Sequence, residues 1–185
     1  MDENSLPNRP HRPGAQMFRE AEDINALAKK LNLAALVLLV VLAAVYISRV
    51  GMSELRNASL PAMLGTIASL LVLFPHEYLH AVCFREDCYI YTALSRGMLF
   101  VFGAEDMTKR RFVFMSLLPN LVFGFIPFAI GMLFPEQVFF GVLGLFSITA
   151  GVGDYYNIYN AVTQVPKGGL IYMYGFHSFW YMPEK

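Results

Sequence analysis

Charge is scarce in this chain. Lys and Arg total 14, Asp and Glu total 14, and the 185 residues carry no formal net charge. Charged residues make up 15% of the sequence, against about 25% in an average soluble domain. No Lys/Arg tract interleaves with aromatics, so the basic footprint of a nucleic-acid-binding protein is missing. Cysteine is scarcer still. Cys83 and Cys88 are the only two, too few for a disulfide framework. They read as reduced small hydrophobes near a membrane surface, with a thiolate metal ligand as the alternative. Apolar residues are what the chain has in excess: 56% are hydrophobic, including 16 Phe and 10 Tyr, and mean hydropathy is +0.47. Such a composition, at a length suited to one domain, predicts an integral membrane protein.

Four apolar segments are long enough to matter. The first covers 33–47, flanked by Lys29, Lys30 and Arg49, and with the preceding turn it reaches the roughly 17–20 residues that cross a bilayer. It lacks the features of a cleaved signal peptide. Residues 1–14 are polar with three prolines and are expected to be disordered. Over 15–31, apolar residues recur at Met17, Ala21, Ile24, Ala28 and Leu31, the spacing of an amphipathic interfacial helix. The second span runs over 59–82, with Ser59 as N-cap and Pro61 in its first turn. The third covers 112–134 and holds Pro119 and Pro127, which predict a kink or break. The fourth covers 138–162, with Gly141, Gly144, Gly151 and Gly153 permitting close contact or local unwinding.

Between the second and third spans, residues 88–94 and 98–102 are aromatic and β-branched, separated by Ser95-Arg96-Gly97. This pattern predicts a β-hairpin. The expected fold is an all-α integral membrane protein with about four transmembrane helices and that one small hairpin. Its membrane domain would cover 32–165, and an aromatic-rich tail of strand or interfacial belt would cover 166–185. Twelve of the 14 Lys and Arg fall in the N-terminal arm, the hairpin loop and the tail. The positive-inside rule then places these parts, and both termini, in the cytoplasm.

One motif carries chemistry. His76-Glu77-Tyr78-Leu79-His80 reads H-E-x-x-H and sits at the end of the second apolar segment. On a helix, positions i and i+4 share a face, so His76 and His80 can both address one Zn²⁺. Glu77 lies one step round, placed to accept a proton from water rather than to bind metal. Chance produces this pattern in a chain of this size roughly once in a hundred. The alternative is a pair of helix-end histidines hydrogen-bonded at a headgroup boundary.

Catalytic zinc takes three protein ligands and leaves one position open. The extended metzincin motif fails, because Cys83 and Glu86 stand where Gly and His are needed. Glu105, a candidate by analogy with gluzincins, falls in a loop. Asp154 is the better candidate, as the one acidic residue in the fourth span. A carboxylate there is costly unless a cation or hydrogen bonds satisfy it. Depth agrees: His76 lies about 9 Å, and Asp154 about 12 Å, from the inner ends of their helices. His177 is the next alternative ligand, read rather as part of the interfacial tail. Asn120 and Asn157 can each donate to a substrate carbonyl or oxyanion, or form structural hydrogen bonds between helices.

With its H-E-x-x-H in a span, a following hairpin and an Asp in a later Gly-rich helix, the chain resembles the site-2 protease class of intramembrane zinc metalloproteases. Over about 60–165 it is more similar to a family of small bacterial membrane proteins described as putative zincin peptidases. The residues concerned are the histidine motif, Lys109-Arg110-Arg111-Phe112 leading to Leu118-Pro119, and Gly153-Asp154. The Asp context here, Val-Gly-Asp-Tyr, departs from that of site-2 proteases. The resemblance implies His76, His80 and Asp154 as ligands of Zn²⁺ and Glu77 as general base. It also implies a membrane-protein or peptide substrate, a bacterial cell membrane and no nucleic acid. The expected function is a zinc-dependent intramembrane or membrane-associated peptidase. The rival is a non-catalytic metal-binding membrane protein, either a transporter or an inactive protease scaffold.

Overall fold

The computed structural model describes residues 9–20, 24–93, 98–175 and 177–184. It is mostly helical, and its contacts divide the chain into two units. One comprises Ala21–His76 and Pro119–Gly153; the other comprises Met1–Glu20, Glu77–Leu118 and Asp154–Lys185.

The first unit is built of helices: α1 (Ile24–Val50), α2 (Met52–Asn57), α3 (Ser59–Leu71), the first turn of α4 (Leu73–Ala81), a π-helical segment (Asn120–Phe125), α6 (Ile126–Leu133) and α7 (Val138–Ala150). Helix α7 is its centre and packs against α1, α3 and α6. Two glycines on α7 make this possible. A Cβ at Gly141 would overlap the Tyr46 ring of α1, and one at Gly144 would overlap the backbone of Phe128 in α6. The outer faces stay apolar and exposed, as at Leu33 and Val40 on α1 and Leu70 and Leu71 on α3.

The second unit holds two sheets and three helical pieces. Strands β2 (Tyr89–Ala93) and β3 (Met98–Phe102) form an antiparallel pair, as expected for the hairpin, with Ile90 opposite Val101. The turn at 94–97 lies outside the described residues. A second, four-stranded sheet was not foreseen. Its order is β1 (Gln16–Met17), β6 (His177–Tyr181), β5 (Leu170–Tyr174), β4 (Met107–Thr108). The aromatic tail supplies β5 and β6. Against this sheet, α5 (Lys109–Pro119) contributes Phe112 and Met115 to a buried cluster. Helix α8 (Val152–Gln164) contributes Ala161, and Phe18, Met107, Val165 and Ile171 complete the cluster.

Three expectations are corrected. No separate amphipathic helix covers 15–31. Gln16 and Met17 pair with Trp180 and Phe179, Phe18 is fully buried, and the residues from Ile24 onward are the opening turns of α1. The local period at 17–31 lost to the burial available in the sheet core. The N-terminal arm is not free where it is described. Arg9 pairs with Glu86, Arg12 pairs with Asp106 at 2.6 Å, and His11 stacks on Tyr174; residues 1–8 lie outside the described residues. Ser59 is not the N-cap of α3; Ala58 holds that position, without a side-chain cap bond. Two of the four apolar segments are bent helix pairs, α3 with α4 by 41° and α7 with α8 by 51°. Pro75 cannot give its N–H to Leu71, which weakens the helix at Val72. At the other bend the Gly151 N–H is shared between Ser147 O and Ile148 O, tightening the last turn of α7.

The prolines of the third span act differently. The helix stays continuous from Lys109 to Leu133, with a π-helical turn between Pro119 and Pro127. Among the described residues, two helices are long and apolar enough to cross a membrane, Asn25–Val50 and Lys109–Leu133, or up to four if each bent pair is one span.

Candidate metal centre

Helix α4 carries the motif. His76 and His80 are one turn apart, and His80 is 8% exposed. Asp154 lies in the first turn of α8, where the helix N-terminus favours a carboxylate. One ligand atom each from His76, His80 and Asp154 lie within 4.8 Å of one another. Sequence reasoning had named these three. Among the described residues, no other group of His, Cys, Asp and Glu converges in this way.

The hydrogen bonds of His80 define its role. Its Nδ1 is 2.9 Å from the carbonyl oxygen of Met115. A carbonyl only accepts, so Nδ1 carries the proton and donates. His80 Nε2 lies 3.3 Å from Asp154 Oδ1, a spacing bridged either by a proton shared with the carboxylate or by a metal cation. A carbonyl oriented on the far nitrogen is the usual second partner of a metal-binding histidine. The 3.3 Å separation is also about the edge of a tetrahedron with ~2.0–2.1 Å metal–ligand bonds. The donor set of two imidazoles and one carboxylate therefore fits zinc.

Glu77 stands apart from the ligand trio. It is half-buried, and its Oε2 accepts the Val101 N–H of β3 at 3.1 Å. That N–H points away from β2, so Glu77 lies beside the outer edge of the hairpin. The Val101 N–H is a backbone group and carries no side-chain signal by which sequence could have found it.

The remaining candidates have other places. Glu105 is buried, 6% exposed, and is a structural residue. It pairs with Arg111 and accepts the N–H groups of Arg85 and Glu86 at 2.7 and 3.2 Å. Burial pushes its carboxyl up, but Arg111 and the two amides outweigh this and hold it below the usual range. Arg111 in turn donates through Nε and Nη2 to Cys83 O, just beyond the end of α4. His177 faces Glu20 Oε1 at 2.8 Å on β6. The cysteines are free thiols. Burial pushes both upward, against a lowering by Arg111 at Cys83 and with added raising by Asp87 and Glu105 at Cys88, so thiolate ligation is disfavoured. Asn120 opens the π-helical segment and is buried. Asn157 sits on α8, half-buried, one turn after Asp154.

A helical protein that gathers two histidines of H-E-x-x-H with a distant carboxylate belongs to the metal-binding class that zincins define. The family model described as "Putative zincin peptidase" matches residues 69–170, more than half of the chain, and the protein belongs to that family. No curated protein and no solved structure matches it.

Proposed function

We propose that this protein is a zinc-dependent membrane peptidase in which His76, His80 and Asp154 hold the metal and Glu77 is the general base. The observation that carries the reading is His80 Nε2 facing Asp154 Oδ1 at 3.3 Å, with His76 in the same group. Zinc in that place supplies Lewis acidity, which makes water a nucleophile near neutral pH and polarises a peptide carbonyl.

The chain's own residues do the rest. Glu77 accepts the proton of the attacking water and returns it to the leaving amine. Val101 N–H holds Oε2 of Glu77 and so fixes the orientation of its carboxylate. Asn157 and Asn120 are the side chains offered for hydrogen bonding to the substrate carbonyl or the oxyanion. A peptide bond inside a helix is shielded, so the substrate is an extended segment of a membrane protein or peptide, received by strand addition to the hairpin. In this reading the four apolar segments span a bacterial membrane, with both termini and the hairpin on the cytoplasmic side.

Zinc analysis of the detergent-purified full chain is the first test, with about one zinc per chain expected. Glu77→Gln should keep that zinc and lose cleavage of a pool of quenched-fluorescent peptides. Cleavage retained by Glu77→Gln removes Glu77 from its role. Zinc flux into liposomes without cleavage by wild type identifies a transporter instead.

A further inference from the structure

The bond between His80 Nδ1 and Met115 O has a cause in the sequence four residues on. In an α-helix the carbonyl of residue i accepts the N–H of residue i+4. For Met115 that partner is position 119, which is a fully buried proline inside α5. Proline has no N–H, so the helical bond to Met115 O cannot form. Its ring also crowds the i−4 carbonyl, again that of Met115, and turns it away from the helix axis. The oxygen so released is the one that accepts His80 at 2.9 Å.

We propose that Pro119 is a positioning residue of the metal centre: by denying Met115 O its helical donor, it reserves that oxygen for His80 and fixes which ring nitrogen faces Asp154. The inference rests on the zinc-site reading for its purpose, but not for its geometry. A residue with an N–H at 119 would compete for the same oxygen. His80 would then lose the partner that keeps the proton on Nδ1. The ring could turn, or take the tautomer with its proton on Nε2, where the metal lone pair must be. A proton there has to leave before a metal can bind.

The test uses Pro119→Ala in the purified full chain, with Pro127→Ala, the other proline of the same span, as control. Imidazole ¹⁵N shifts of the zinc-free protein report the tautomer of His80. Wild type and Pro127→Ala should show the proton on Nδ1, whereas Pro119→Ala should show a mixture or Nε2–H. Zinc affinity, measured by competition with a chromophoric chelator, should fall ~10–100-fold in Pro119→Ala alone, the usual cost of losing a partner behind a metal ligand. The unfolding temperature should not fall, because alanine restores a helical bond. A merely structural proline would give the opposite pattern, with stability lost and the tautomer kept. If Pro119→Ala does not fold, Pro119→Ser restores the same N–H at similar size. Retention of Nδ1–H with affinity within about twofold of wild type overturns the proposal, since that is far less than an outer partner normally costs. If wild type binds no zinc but the tautomer still shifts in Pro119→Ala, the zinc reading fails while the positioning role stands.

Discussion

At the scale of residues, the proposed roles separate side chains that bind metal from the one that reacts. Asp154 Oδ1 faces His80 Nε2 at 3.3 Å. Asp154→Ala should therefore weaken zinc binding by more than the ~10–100-fold typical of an outer partner. Chelator competition checks this, and unchanged affinity would remove Asp154 from the ligands. Glu77 is not one of the three grouped ligands, and its Oε2 accepts the Val101 N–H, so Glu77→Gln should leave zinc affinity nearly unchanged. Turnover should fall by about 10²–10⁴-fold, the range of general-base catalysis. A parallel loss of zinc would show that Glu77 holds metal after all.

At the scale of elements, the end of α4 is held by a clamp. Glu105 binds the amides of Arg85 and Glu86 and pairs with Arg111, and Arg111 donates to Cys83 O. The Glu105 carboxyl is held below its ordinary value of 4.5 in the fold. Its stabilising effect is therefore fully present above that ordinary value and is lost as pH falls through the lower folded value. Glu105→Gln should cost about 2 kcal/mol at neutral pH, the order of a charge-assisted hydrogen bond. The cost should shrink as pH drops below 4.5. Denaturation curves at pH 7 and pH 4 check it; equal destabilisation at both would show that charge is not what Glu105 contributes. Glu105, set aside as a metal ligand because it falls in a loop, has its partner in Arg111, six residues on and brought to it by the turn from β4 into α5.

At the scale of the whole molecule, close helix packing and an apolar exterior go together. Helices in lipid gain little from burying apolar surface, so they depend on contact at short range. Gly144→Leu should destabilise the helical unit by at least ~1–3 kcal/mol, the usual cost of overpacking, because the Phe128 backbone occupies the space a side chain needs. Thermal unfolding in detergent would show it. The exposed apolar faces of α1 and α3 predict that the protein stays in the membrane pellet after an alkaline wash. Release into the supernatant would end the spanning reading. Tags at both ends should be reachable in inverted vesicles and protected in right-side-out ones.

The sequence by itself determined the apolar segments, the hairpin of β2 and β3, and the pair of histidines one turn apart. Each is encoded by local period and composition, which short stretches of chain express alone. It also singled out Asp154, because an acid in an apolar helix needs a partner wherever that helix goes. Only the tertiary structure decided the rest. It gave 16–17 to a sheet rather than to a helix, bent two of the spans, and turned the tail into strands β5 and β6. It also brought Met115 O to His80 and Val101 N–H to Glu77. Those choices depend on backbone groups and on burial between residues far apart in the chain; Pro119 frees Met115 O, but nothing in its own stretch of sequence says that His80 is the group that takes it.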